Sequence, residues 1–157
     1  MTASLDVGDP APSFVFANAG GPPLTLESVS GNKLVLYFYP KDDTSGCTKE
    51  AIDFNALRSS FAEAETKIVG VSPDSAGSHD KFKAKYGLDL ALGSDEEKTV
   101  LEAYGVWAEK SMYGRKYMGV ERTTFLVDRE GKIARVWRKV KVPGHAEDVL
   151  AAAKALP

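Results

Sequence analysis

The chain has 157 residues, 43% of them hydrophobic and 27% charged, and a formal net charge of -2. A single domain over 1–157, burying roughly 68–70% of its unfolded surface, is the simplest expectation. The charge gives no reason to expect a nucleic acid or anionic membrane as partner, and the single cysteine excludes an internal disulfide.

The first ten residues carry neither a basic n-region nor an apolar h-region, so no secretory signal is expected. No apolar stretch reaches the ~20 residues that span a bilayer. A cytoplasmic protein is the default. Up to about Lys33 the chain is rich in Gly and Pro, and Gly20-Gly21-Pro22-Pro23 reads as a turn. Phe14–Phe16 and Leu24–Leu26 are expected to pair across it as a hairpin. Residues 34–39 are apolar without alternation, the pattern of a central strand covered on both faces, and Pro40 ends them.

A helix should begin at Thr44 or Ser45, either hydroxyl serving as N-cap. Its inward stripe reads Cys47, Ala51, Phe54, Leu57, Phe61. Lys67–Ser72 forms the next strand, followed by a helix with Phe82 and Tyr86 inward that stops at Gly87. Leu88–Leu92 suggests a short strand. Ser94–Glu97 has the form of a capping box for a helix carrying Val100, Leu101 and Tyr104. Val106–Gly119 reads as a long loop. Thr123–Asp128 and Lys132–Arg138 make a hairpin around Arg129–Gly131, and a final helix after His145 turns Val149, Leu150 and Ala153 to one side. Strands and helices in this order give a mixed central sheet with helices on both faces and an N-terminal hairpin extension. A thioredoxin-like fold has this order, which other α/β arrangements share.

Cys47 is the natural place to look for chemistry. The first turn of a helix offers unpaired N–H groups and partial positive charge, which favour thiolate over thiol. Read alone, the residue also fits a small buried hydrophobe. Its neighbours reverse that. Cys47 follows Thr44 by three positions and Pro40 by seven, at a strand–loop–helix junction. This spacing resembles the active-site signature of the peroxiredoxins. The string from Tyr37 to Ala51 is similar to the bacterioferritin comigratory protein, or peroxiredoxin Q, branch. Val7–Pro12, Tyr104–Trp107, Arg122–Asp128 and Lys141–Glu147 resemble further stretches, so the similarity covers essentially the whole chain.

The resemblance implies a thiol-dependent peroxidase acting on hydrogen peroxide and organic hydroperoxides, without a cofactor. Cys47 would be the peroxidatic nucleophile, and the Thr44 hydroxyl would hydrogen-bond the peroxide. Arg122 would stabilise the thiolate and the charge developing on both oxygens, while Pro40 would shield the sulfur and fix the loop. Many members of the branch carry a resolving cysteine five residues after the peroxidatic one; here that residue is Ile52. An external thiol, either low-molecular-weight or on glutaredoxin or thioredoxin, must therefore resolve the sulfenic acid. Members of the branch are often monomers. Ser45 also departs from the branch, which usually has proline there.

Asp42, Asp43 and Glu50 would oppose the thiolate if near it in space, and Lys41, Lys49 and Arg122 would favour it. The arginine and helix terminus are expected to win. His79 and His145 are expected on a helix face and at a helix start without catalytic or metal roles, and no metal-ligand cluster is foreseen. Tyr37, Phe38, Tyr39 and Trp107 are expected in the core or as pocket wall. A redox sensor is the alternative from another class, to which an aligned peroxide site would be superfluous. A disulfide oxidoreductase lacks its Cys-x-x-Cys, and a cysteine hydrolase lacks a histidine with reason to lie beside Cys47.

Overall fold

The computed structural model describes residues 5–16, 22–29 and 31–157, with only the backbone of Met112. The Gly20-Gly21 half of the expected N-terminal turn lies outside these. Its flanking strands, β1 (Val15–Phe16) and β2 (Leu24–Thr25), pair antiparallel as expected.

The centre of the molecule is β3 (Lys33–Phe38), buried at all six positions, as an apolar run without alternation demands. It pairs in parallel with β4 (Thr66–Ser72), which pairs in parallel with β5 (Ala91–Ser94). On its other side, β3 runs antiparallel to β8 (Thr123–Val127), and β8 to β9 (Ile133–Trp137). The result is a five-stranded mixed sheet in the order β5-β4-β3-β8-β9.

Successive residues of β3 point to opposite faces and so build two cores. Leu34, Leu36 and Phe38 pack with Phe16, Leu101, Tyr104 and Phe125. Val35 and Tyr37, with Tyr39 just beyond, pack with Cys47, Phe54, Phe61, Phe82 and Val149. The second core is roofed by α1 (Ser45–Ala56), α2 (Arg58–Glu63), α3 (Ala76–Tyr86) and α5 (His145–Ala155). The first lies under α4 (Thr99–Ala103) and the N-terminal hairpin. Gly70 is required here, because a Cβ would meet the Tyr37 ring at 2.6 Å.

Four local expectations fail for physical reasons. The single helix expected through Phe61 is divided at Leu57, whose N–H is shared between the Asp53 and Phe54 carbonyls in a 3-10-type tightening. The strand expected from Leu88 starts only at Ala91, and the Asp89 N–H is taken by the Asn55 side chain at 2.8 Å.

The Ser94–Glu97 capping box does not form. Ser94 completes β5 and donates to the Asp74 carbonyl, while the Asp95 carboxylate accepts from the Leu101 N–H at 2.8 Å. The long loop after Val106 is a second hairpin, β6 (Trp107–Met112) with β7 (Arg115–Val120). Tyr113 and Gly114, both at positive φ, make its two-residue turn.

Candidate active site

The strand order places the functional groups. β3 ends at Phe38, opposite Thr123, so the residue before β8 lies beside the loop that leaves β3. That residue is Arg122. The loop runs from Pro40 to Thr44 and opens α1. The helix's first backbone bond is from the Thr48 N–H to the Thr44 carbonyl at 2.8 Å. The Ser45, Gly46 and Cys47 N–H groups therefore have no helical acceptor.

Cys47 is 1% exposed, on the core side of this first turn, as its stripe predicts. Arg122 donates from Nη2 to the Cys47 Sγ at 3.2 Å, and from Nη1 to Glu50 Oε1 at 2.6 Å. The guanidinium passes close to Gly46, where a Cβ would sit 3.2 Å from Nη2 and crowd it. Burial works against the guanidinium's charge, but Glu50 and Cys47 hold the Arg122 pKa above its ordinary value.

Glu50 is the residue that sequence reasoning left without a role of its own, weighing it only as one of several local charges. It lies one helical turn from Cys47 on the same face, 1% exposed and bound to the same guanidinium. Burial pushes its pKa up to about 7, only partly opposed by Arg122. Its Oε2 has no hydrogen-bond partner among the described residues. The i, i+3 spacing from Cys47 was the available signal.

The other nearby charges are diverted from the sulfur. Asp43 accepts from Lys85 and Tyr86, and Lys49 pairs with Asp53. Asp42 is buried with His79, Tyr39 and Ser78. Of the charges weighed from sequence, Arg122 alone bonds the sulfur and Glu50 bonds that arginine. Thr44 occupies the N-cap position of α1, but its hydroxyl does not cap; it donates to the Lys41 carbonyl at 2.9 Å. That engages the hydroxyl proton and leaves oxygen lone pairs free to accept. Pro40 is half-buried at the start of the loop. Neither Thr44 nor Pro40 hydrogen-bonds Cys47 among the described residues.

His79 lies on α3 and His145 opens α5, as expected, and both are buried. His145 pairs Nε2 with the Thr124 hydroxyl at 2.8 Å, and burial lowers its pKa to about 4. His79 bonds Asp42 through Nδ1 at 2.7 Å and faces the Gly93 carbonyl through Nε2 at 3.0 Å. The absence of a metal-ligand cluster expected from sequence needs amending: Asp42, Asp74 and His79 bring three ligand atoms within 4.8 Å of one another. Each of those residues is engaged in internal hydrogen bonds, Asp74 holding the Ser72 hydroxyl and the Asp42 N–H. The group works as a clamp on the loop.

The family model for the AhpC/TSA family matches residues 7–136. Peroxiredoxin Bcp of Xanthomonas campestris is 53% identical over 137 residues, covering 87% of this chain and 86% of its own. Peroxiredoxin Bcp of Bacillus subtilis is 46% identical over 147 residues, 94% of each chain. A solved structure of the Xanthomonas campestris bacterioferritin comigratory protein, studied for its alkyl peroxide reduction activity, superposes with a TM-score of 0.88. It is 48% identical and covers 98% of both chains.

Proposed function

From the premise that this chain belongs to the AhpC/TSA family, in its Bcp/peroxiredoxin Q branch, and is a thiol-dependent peroxidase, we propose that Cys47 is its peroxidatic nucleophile. The observation that carries the assignment is the 3.2 Å bond from Arg122 to Sγ, made by a side chain 75 positions away in sequence. Attack by the thiolate forms an S–O bond and breaks the O–O bond, and the departing oxygen takes up a proton to leave as water or alcohol. Arg122 stabilises the thiolate before attack and the charge spread over both oxygens during it. The Thr44 hydroxyl, its own proton engaged at Lys41, accepts from the peroxide and aligns it. The N–H groups of the first turn of α1 complete the donor set. Pro40 fixes the loop and supplies no competing donor.

Glu50 joins this set as a positioning residue. It anchors one arm of the guanidinium so that the other faces the sulfur. The substrates are hydrogen peroxide and organic hydroperoxides, a reading supported by the alkyl peroxide activity of the Xanthomonas relative. The chain has one cysteine, so reduction of the sulfenic acid draws on an external thiol. The same reading makes the protein a cytoplasmic, monomeric single domain over 1–157, in line with the branch's habit. Among the described residues no helix is long and apolar enough to cross a membrane.

A Cys47→Ser variant should keep its fold, judged by circular dichroism, and lose essentially all peroxide reduction. Wild-type protein given peroxide without thiol should consume about one equivalent and stop. Substantial activity in the variant, or sustained turnover without thiol, contradicts the assignment.

A further inference from the structure

Arg122 has a second neighbourhood. A cleft of about 410 Å³ is lined by Arg122 together with Lys110, Lys139, Glu109 and Glu121. The size is that of a small-molecule site. Its walls come from β6, from the segment before β8 and from the segment after β9. They are tied by the Val140 N–H to the Arg122 carbonyl at 3.0 Å and the Glu121 N–H to the Val106 carbonyl at 2.8 Å. Cys47 does not line it; Arg122 lines the cleft and also bonds the sulfur.

Three of the five charges lining this cleft have no ion-pair partner among the described residues. Glu109 has a long contact of 3.7 Å with Lys116. Lys110, Lys139 and Glu121 make no ion pair among the described residues. Lys110 is nevertheless held in place, because its stem crosses Gly119, where a Cβ would lie 3.2 Å from Lys110 Cδ. Burial, and then the Arg122 charge, hold the Lys110 ammonium below the ordinary lysine range. Lys139 takes φ 50, a left-handed conformation that costs a lysine backbone energy.

We propose that this cleft binds the charged amino-acid end of a low-molecular-weight thiol that resolves oxidised Cys47, its carboxylate on Lys110 and Lys139 and its ammonium on Glu121. The inference rests on the peroxidase reading and names the class of its second substrate. The chain has no second cysteine, so a resolving thiol must enter from outside, and the cleft shares Arg122 with the sulfur it must reach. The thiol sulfur attacks the sulfenic sulfur; an S–S bond forms, the S–O bond breaks, and the hydroxyl leaves as water with the thiol's proton. A second thiol molecule attacks the mixed disulfide, releasing Cys47 and a low-molecular-weight disulfide.

The test uses full-length protein oxidised with one equivalent of hydrogen peroxide and then reduced by glutathione or by uncharged 2-mercaptoethanol. In the Lys110→Gln/Lys139→Gln double variant the ratio of the glutathione to the mercaptoethanol rate should fall about tenfold, while the Lys→Arg pair retains it. In wild type the ratio should shrink as salt rises. An unchanged ratio in the Gln variant, or a wild-type ratio indifferent to salt, overturns the proposal. The oxidation half is followed separately with a carboxylate-bearing hydroperoxide and with tert-butyl hydroperoxide. A charge preference confined to that half would assign the cleft to the peroxide and overturn the thiol assignment. Absence of a dimedone-reactive sulfenic acid on Cys47 would instead sink the peroxidase reading itself.

Discussion

Two buried carboxylates flank the start of α1, and they behave oppositely. Asp42 has donors on both oxygens: Tyr39 at 2.5 Å on one, and His79 at 2.7 Å and Ser78 at 2.8 Å on the other. Burial works to raise its pKa, but these bonds hold it below the usual carboxylate value. Glu50 has a donor on one oxygen only, and burial lifts it to about 7. Glu50 is both more deeply buried and held by fewer donors, and the two together separate it from Asp42. Asp42 is a fixed anion that clamps the loop between Pro40 and Thr44. Glu50 is an adjustable counter-charge, titrating next to the guanidinium that holds the sulfur.

The largest expected effect comes from removing the clamp. Asp42→Ala leaves His79, Ser78 and Tyr39 polar groups buried without their acceptor and should cost about 3 kcal/mol of stability, read by chemical denaturation. A loss within the range of an ordinary surface substitution would erase the distinction between the two carboxylates. A smaller effect, differing in kind, is expected at Glu50. Its folded pKa is raised above the unfolded value of 4.5. Its stabilising contribution is therefore full below about 4.5 and lost as pH rises through about 7. Glu50→Gln should abolish that component of the stability-versus-pH profile and should also remove a step near pH 7 in the rate of Cys47 oxidation. A profile identical in wild type and variant would show that Glu50 does not titrate there.

Much of this architecture was legible in the chain because apolar periodicity reports burial directly. The run at 34–39, the stripe through Cys47, Ala51 and Phe54, and the hairpin around Arg129–Gly131 all declare themselves. The second hairpin did not, because its strands are largely exposed, with charges on both faces and no alternation to read. Only Tyr113-Gly114 hinted at the turn.

At the site, Cys47 and Arg122 were readable through their resemblance to a known signature. Residues that act by contact across the fold were not. Glu50 looked like one of several neighbouring charges, and nothing local tells that Asp43 and Lys49 are diverted to Lys85 and Asp53 while Glu50 is turned inward. His79 likewise gained its meaning only when β5 and the Pro40–Thr44 loop closed around it. Gly46 matters because of a guanidinium that arrives from another strand.

The central claim concerns one bond, from Arg122 to the Cys47 sulfur. It is tested most directly by the second-order rate of Cys47 oxidation by hydrogen peroxide, followed by stopped-flow in wild type and in Arg122→Gln. Loss of the donor that stabilises both thiolate and developing oxyanion should slow the reaction by about 100-fold or more. An oxidation rate in the folded variant equal to that of wild type would contradict it.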